Sequence, residues 1–297
     1  MLLPERLALH APQLTQRERA LAEHLRLHYP DSLLDSASAM AKLAQTSAST
    51  VVRLFAKLGY ASLAEVRREA RSEVTTLLQT PAQRTRATIG SARSLAECVD
   101  DAFLHDQHNL AATRQGLDMP TFEAMVRAIV ECKGRVFIMA EKNSTPISTY
   151  LAAHLNMCRP QVHELAAGAP FELDRLLWIE PRDLLLVFTI RRYSQGAQLA
   201  ARHFREQGAT VLALTDSLAS PIVPHAHHTL VVGTANASPF DSYTAAFFLC
   251  NALVSAVAQL RPAPVEAALQ RRDALWKQQQ AEAAAAAAPR RRHSGGR

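Results

Sequence analysis

The sequence predicts an all-α helix-turn-helix domain followed by an α/β domain built on a doubly wound parallel sheet. Three observations carry that prediction. Residues 1–78 show helical periodicity and no strand signal, and residues 79–94 (QTPAQRTRATIGSARS after Leu78) are poor in large apolar side chains and rich in breakers. From about residue 134 onward, short β-rich runs alternate with helical segments, as βαβ units do in a parallel sheet covered on both faces.

In the N-terminal part, Thr15 precedes Glu18 by three residues, a capping box that opens a helix carrying Ala20, Leu21 and Leu25. Pro30 ends that region, and Asp31 and Ser36 are further N-cap candidates. Residues 39–45 form a short helix with Met40, Leu43 and Ala44 on one face. Thr46, Ser47 and Ala48 make a polar turn, and residues 49–58 a second helix. Residues 63–78 read as a long amphipathic helix.

In the second helix, Val51, Leu54, Phe55 and Leu58 fall at i, i+3, i+4 and i+7 and form one stripe for burial. A step of about 100° per residue puts Ser49, Arg53, Ala56 and Lys57 on the opposite face, with nothing bulky and apolar among them. Small residues permit close approach to a major groove, while hydroxyls and Arg reach phosphates or base edges. Gly59 stands where a helix stops as a C′ residue. A helical hairpin with a merely basic outer face has the same periodicity. Charge density favours the groove reading: between Lys42 and Arg71 there are six Lys/Arg against Glu65 and Glu69.

The α/β part begins after two helices at about 95–115 and 120–132. It continues with strands at 135–140, 162–165, 183–190, 209–215 and 229–233, and helices at about 144–158, 194–207 and 239–260. A last helix at about 263–280 leads into an Ala-rich and basic tail, 281–297, expected to be disordered, whose Arg290–Arg292 run reads as a solvated end. The domain is therefore placed at 95–280.

The 297 residues leave room for two domains, with 48% apolar and 20% charged residues, and the formal charge of +6 suits a phosphate-bearing partner. No export signal is expected at the N-terminus, where Pro4, Glu5 and Arg6 interrupt any apolar run. The most apolar stretch, 183–190, is too short to cross a bilayer. Cys98, Cys132, Cys158 and Cys250 form no ligand spacing, so reduced thiols in the cytoplasm are expected, with no metal and no cofactor. His225, His227 and His228 lack a further ligand at zinc spacing and read as a surface loop. His105, His108 and His203 read as packing or surface residues.

The run from Lys42 to Glu69 resembles the helix-turn-helix domain of the RpiR/MurR family of bacterial regulators. The family pattern A-x-x-(A/T)-x-x-S-x-(A/S)-T-V-x-R-(F/L)-x-x-K-L-G-(Y/F) is met in place by Ser47, Ser49, Thr50, Val51, Arg53, Lys57, Leu58, Gly59 and Tyr60. An upstream L-T-x-x-E-R is present at residues 14–19. The resemblance implies that Ser47, Ser49, Thr50, Arg53 and Lys57 contact a double-stranded DNA operator. It also implies a C-terminal sugar isomerase (SIS) domain that usually binds a phosphorylated sugar, and a homodimer or homotetramer.

In open α/β sheets, ligands sit beyond the carboxyl ends of the strands, where helix N-termini offer free N–H groups. The loops that the resemblance singles out are all altered. The usual G-x-G-x-S appears as Ala140-Glu141-Lys142-Asn143-Ser144, without either glycine. The usual S-x-S-G-x-(S/T) appears as Thr189-Ile190-Arg191-Arg192-Tyr193-Ser194. The third, T-x-x-x-x-S-P-(L/I), is kept from Thr215 through Ser220 to Ile222, while Ala226-His227 replaces a later A-D. The candidate ligand residues are thus Ser144, Thr189, Arg191, Arg192, Ser194, Thr215 and Ser220. Arg191 and Arg192 either clamp a carboxylate or phosphate, or pair with Asp216 or Asp241 and fill the space themselves.

Three functional readings follow. One is a DNA-binding regulator, not an enzyme, whose SIS-like domain joins protomers and senses a small anionic metabolite. The second is a SIS-type sugar-phosphate isomerase, and the third a DNA binder that dimerises without a ligand.

Overall fold

A computed structural model describes residues 3–27, 29, 31–78, 94–166 and 172–287. The linker expected at 79–94 lies outside them except for Ser94, as does the Arg290–Arg292 run.

The N-terminal region is helical throughout its described residues: α1 (Leu3–His10), α2 (Gln16–Leu27), α3 (Ala37–Leu43), α4 (Ala48–Lys57) and α5 (Leu63–Leu78). The capping box opening α2 is present: Glu18 N–H donates to Thr15 Oγ1 at 3.4 Å, and Thr15 N–H to Glu18 Oε2 at 2.8 Å. Val51, Leu54, Phe55 and Leu58 are buried as one stripe among Leu21, Leu25, Met40 and Val66. Burial of such side chains stabilises by roughly 1.5–3 kcal/mol each. Gly59 takes φ 84° at the end of α4, a left-handed conformation that suits glycine. There Arg6 from α1 donates to Leu58 O at 2.8 Å and lies 4.3 Å from the Tyr60 ring centre, closing the helix end.

The α/β region runs α6 (Leu95–Gln115), α7 (Met119–Glu131), β1 (Val136–Ala140), α8 (Thr145–Cys158), β2 (Val162–Ala166), α9 (Glu172–Leu176), β3 (Leu184–Thr189), α10 (Gln195–Glu206), β4 (Thr210–Thr215), β5 (His228–Val231), α11 (Thr244–Leu260) and α12 (Pro262–Ala287). The five strands are parallel in the order β2-β1-β3-β4-β5.

Strand parity explains how both faces of the sheet are covered, since successive side chains point oppositely. Val136, Ile138, Leu184, Leu186, Phe188, Leu212 and Leu214 meet α7, α8 and α11 through Met125, Ile129, Leu151, Leu155, Leu249 and Leu253. Phe137, Met139, Leu185, Val187, Val211 and Ala213 meet α10 through Ala197, Ala200, Ala201 and Phe204. The expected doubly wound parallel sheet is the one observed. A half-buried ion pair ties the amino ends of β1 and β3 together: Arg135 Nη2 stands 2.6 Å from Asp183 Oδ2, and Asp183 also accepts from the Arg135 and Glu180 amides.

Two boundaries differ from the sequence expectation by more than two residues. The helix expected from 239 begins at Thr244, because side chains hold the preceding residues in turns. Ser238 N–H donates to Asn236 Oδ1, Phe240 N–H to Ser238 Oγ, and Thr244 N–H to Ser242 Oγ. The last helix runs to Ala287 rather than 280, so residues 281–287 continue a helix, consistent with the high propensity of Ala. Its side chains are mostly exposed as far as residue 283. No single described helix is long and apolar enough to cross a membrane.

The two regions touch. Leu218 and Ala219, in the connection between β4 and β5, pack against the core of the N-terminal helices.

Candidate functional site

The first site is the outer face of α4. Ser47 is its N-cap, accepting from Thr50 N–H at 3.2 Å, and its hydroxyl also lies 2.8 Å from Ser49 Oγ and 2.9 Å from Thr50 Oγ1. The three hydroxyls form one network at the helix N-terminus, where the backbone N–H groups and the positive end of the dipole favour an anion. Ser47 and Ser49 are exposed, whereas Thr50 is buried and positions its neighbours. Arg53 is exposed and reaches back to Thr50 Oγ1 at 3.5 Å.

Lys57 does not share that face in the way its position suggested. Its ammonium donates to Gln13 O at 2.6 Å and Glu18 Oε2 at 3.1 Å, tying the end of α4 to the entry of α2. The Glu18 carboxyl is held below the usual range, first by the hydrogen bond from the Thr15 amide, with Lys57 acting in the same sense against burial. The sequence reading also overlooked Val52. It is 60% exposed and flanks Ser49 on the side away from Arg53, so the outer face carries one bulky apolar side chain. Such a side chain suits contact with a thymine methyl group.

The second site follows from topology. In the order β2-β1-β3-β4-β5 the crossovers leave β1 and β3 in opposite directions, which opens a crevice beyond their carboxyl ends. A cleft lies there. Lys142, Asn143 and Ser144 line it after β1, Thr189, Arg191, Arg192 and Ser194 after β3, and Asp241 and Tyr243 before α11. Ser144, Thr189, Arg191, Arg192 and Ser194 are therefore brought together as expected. Thr215 and Ser220 are buried but do not line the cleft. Asp241, expected as a possible partner of the arginines, lines it, and so does Tyr243, which the reading of 239–243 as helix had hidden.

The cleft backbone keeps a glycine-like shape without glycine. Lys142 has φ 55° and Arg192 φ 45°, both at the positions of the expected glycines, and Arg191 has φ 30°. A non-glycine residue in this region costs about 1–2 kcal/mol. Each replacement adds a cation to the loop.

Charge in the cleft is partly self-compensated. Arg191 Nε lies 3.1 Å from Asp241 Oδ1 and 3.8 Å from Asp216 Oδ2, and the Arg191 amide donates to Asp216 Oδ1 at 3.3 Å. The Nε–H is nevertheless aligned with neither carboxylate. Arg191 Nε, Asp216 Oδ2 and Thr189 Oγ1 are buried without a hydrogen-bond partner among the described residues. Burial pushes the Asp216 carboxyl up to about 6, against the hydrogen bond and charge of Arg191. Burial also raises the Tyr243 hydroxyl, which interacts with Ser144. Ser194 caps α10 by accepting from Ala197 N–H at 3.1 Å. The enclosed free space is about 30 Å³, room for one or two waters.

His227 has a structural role at the far edge of the sheet. Its Nδ1 accepts from the Val211 amide at 2.9 Å, and its own amide donates to Val211 O at 2.7 Å. Burial lowers its pKa.

Comparison with known proteins agrees with this geometry. Residues 129–256 match the family model of the SIS domain. The sugar isomerase domain of an RpiR transcription factor from Sphaerobacter thermophilus is 27% identical, with a TM-score of 0.56 over 58% of this chain and 96% of that one. NanR of Vibrio vulnificus, in complex with ManNAc-6P, has a TM-score of 0.50 at 17% identity over 93% of this chain and 98% of that one. A Listeria monocytogenes protein described as a candidate sugar-phosphate isomerase has a TM-score of 0.50 at 13% identity, over 57% of this chain and 92% of that one. No curated relative matches. The α/β region is thus a SIS-like domain, a fold found among regulators and isomerases alike.

Proposed function

We propose that this chain is a DNA-binding transcriptional regulator whose SIS-like cleft senses a small anionic metabolite, a sugar phosphate or a carboxylate. The observation that carries the DNA reading is the outer face of α4. Its apolar stripe is fully used in the core, its N-cap hydroxyls cluster, and Ser49, Val52 and Arg53 remain exposed on one side. Such a face fits a major groove through hydroxyl, methyl and guanidinium contacts. The sugar isomerase domain of the RpiR transcription factor from Sphaerobacter thermophilus, which matches the α/β region, supports the regulator reading.

Two connections suit the cleft to a regulatory role. Residues 241–244 alternate: Asp241 and Tyr243 line the cleft, while Ser242 Oγ and Thr244 Oγ1 both donate to Asp106 on α6, the helix that follows the linker. On the other side, Asp216 bonds the Arg191 amide, and Leu218, two residues on, packs against the N-terminal core. A ligand that rearranges Arg191, Asp216 and Asp241 would therefore act on both attachments of the DNA-binding region. A homodimer or homotetramer fits the exposed apolar stripe of Leu95, Val99 and Phe103 on α6, which repeats at i, i+4 and i+8.

Selection from a random duplex pool by the full chain tests this reading. One recurrent two-fold sequence is expected to be enriched, and to be released or tightened by an anionic metabolite. Absence of any enriched duplex, or turnover of sugar phosphates by the purified protein, overturns it.

A further inference from the structure

The cleft already holds an anion, and that anion belongs to the chain. Helix α10 begins beside the cleft with Ser194 as N-cap, so the backbone N–H groups of its first turn point toward a site suited to negative charge. Gly196 lies in that turn. A Cβ placed on Gly196 would stand 2.0 Å from Glu141 Oε1, 3.0 Å from its Cδ and 3.4 Å from Oε2. The Glu141 carboxylate therefore lies against the first turn of α10, in the space that a side chain at 196 would take.

A second observation marks the same place as a ligand seat. Thr189, at the end of β3, is 3% exposed and lines the cleft, yet its hydroxyl has no hydrogen-bond partner among the described residues. Buried polar groups are nearly always satisfied, so an orphan hydroxyl in a cleft wall points to a group that is absent. Around it stand Lys142, Arg191 and Arg192. The carboxylates of Glu141 and Asp241 line the same cleft, and Asp216 stands against Arg191, so the three cations are matched by three carboxylates.

We propose that Glu141 is an internal competitor for the anion seat of α10 and thereby sets which ligands the cleft accepts. A ligand must bring an anion that displaces a tethered carboxylate. A phosphomonoester dianion does so, through its higher charge and its additional acceptor oxygens for the α10 amides and Thr189, whereas a simple monocarboxylate only replaces like with like. Apparent affinity falls by the fraction of molecules in which the seat is open, so removing the competitor strengthens anion binding without adding a contact. The inference rests on the cleft being an effector site, and it specifies the ligand class and the residue that filters it.

Titration calorimetry of the full chain with inorganic phosphate tests it. Glu141→Ala is expected to bind phosphate at least about tenfold more tightly than the wild type, and Glu141→Gln to show an intermediate gain. Thr189→Val in the Glu141→Ala background is expected to abolish the gain. Acetate is expected to show a much smaller gain than phosphate. Circular dichroism of each variant establishes that the fold is retained. Equal phosphate affinity in folded wild type, Glu141→Ala and Glu141→Gln overturns the proposal, and sugar phosphates that still change DNA affinity would leave the effector reading standing. A phosphate gain in Glu141→Ala with no effect of any anion on DNA binding would support the internal competitor while removing the regulatory reading.

Discussion

The α4 face and the cleft are both rich in polar groups, yet they differ in how those groups are engaged. On α4 the apolar stripe is sealed in the core, and Ser49 and Arg53 project outward, bonded to Ser47 and Thr50 at the helix's own N-terminal turn. In the cleft, Arg191 lies between Asp216 and Asp241, and Glu141 covers the start of α10. One surface is open to a partner as it stands. The other must exchange internal contacts for external ones, which is what a switch requires. On the proposed function, the pre-arranged surface would supply recognition and the self-compensated one response.

The most disruptive way to separate the two regions is Leu54→Ala. Leu54 is fully buried in the N-terminal core, and truncation of such a residue costs about 2–5 kcal/mol. Differential scanning calorimetry should show the N-terminal transition lowered or lost. Anion binding to the cleft should persist, and its loss would mean that the two regions are one folding unit.

The cleft is probed next through Asp216. Its folded-state pKa lies near 6, above the ordinary 3.8, because burial disfavours the carboxylate. Between those values the folded chain binds a proton that the unfolded chain lacks, so stability rises as pH falls through 6 and is lowest above it. The slope corresponds to roughly 1–3 kcal/mol across the window. Chemical denaturation at several pH values should show it, and Asp216→Asn should flatten it. An unchanged slope in that variant would assign the titration elsewhere.

The smallest effect concerns Lys57. Its half-exposed bond to Glu18 contributes less than about 1 kcal/mol, and Glu18, depressed by the Thr15 amide, loses its contribution as pH falls through the carboxylate range. Lys57→Met should therefore destabilise only slightly and leave the salt dependence of DNA binding unchanged. A slope reduced by about one would instead make Lys57 a phosphate contact.

The legible parts were those set by local periodicity and strand order. Val51, Leu54, Phe55 and Leu58 repeat within two turns of one helix, so their burial follows from spacing alone. The uninterrupted apolar run at 184–188 reads as a buried strand, and the strand Leu184–Thr189 is buried along its whole length. Ser144, Thr189 and Arg191 were found because cleft residues follow strand ends. What escaped depended on distant chain segments meeting. Lys57 meets Gln13 and Glu18 from another helix. Tyr243 follows a turn segment fixed by Asn236, Ser238 and Ser242, where apolar periodicity suggested helix. Val52 was passed over although its position two residues from the stripe's edge placed it outward. Glu141 gave no signal until the absence of a side chain at Gly196 gave it meaning.

Dimethyl sulfate protection on the selected duplex tests the central claim most directly, since it reads guanine N7 in the major groove. The wild type should protect guanines in two half-sites about one helical turn apart. Arg53→Ala, folded as the wild type, should lose that protection together with about 1–3 kcal/mol of affinity. Unaltered protection and affinity in Arg53→Ala would contradict the assignment of α4 as the helix that reads DNA.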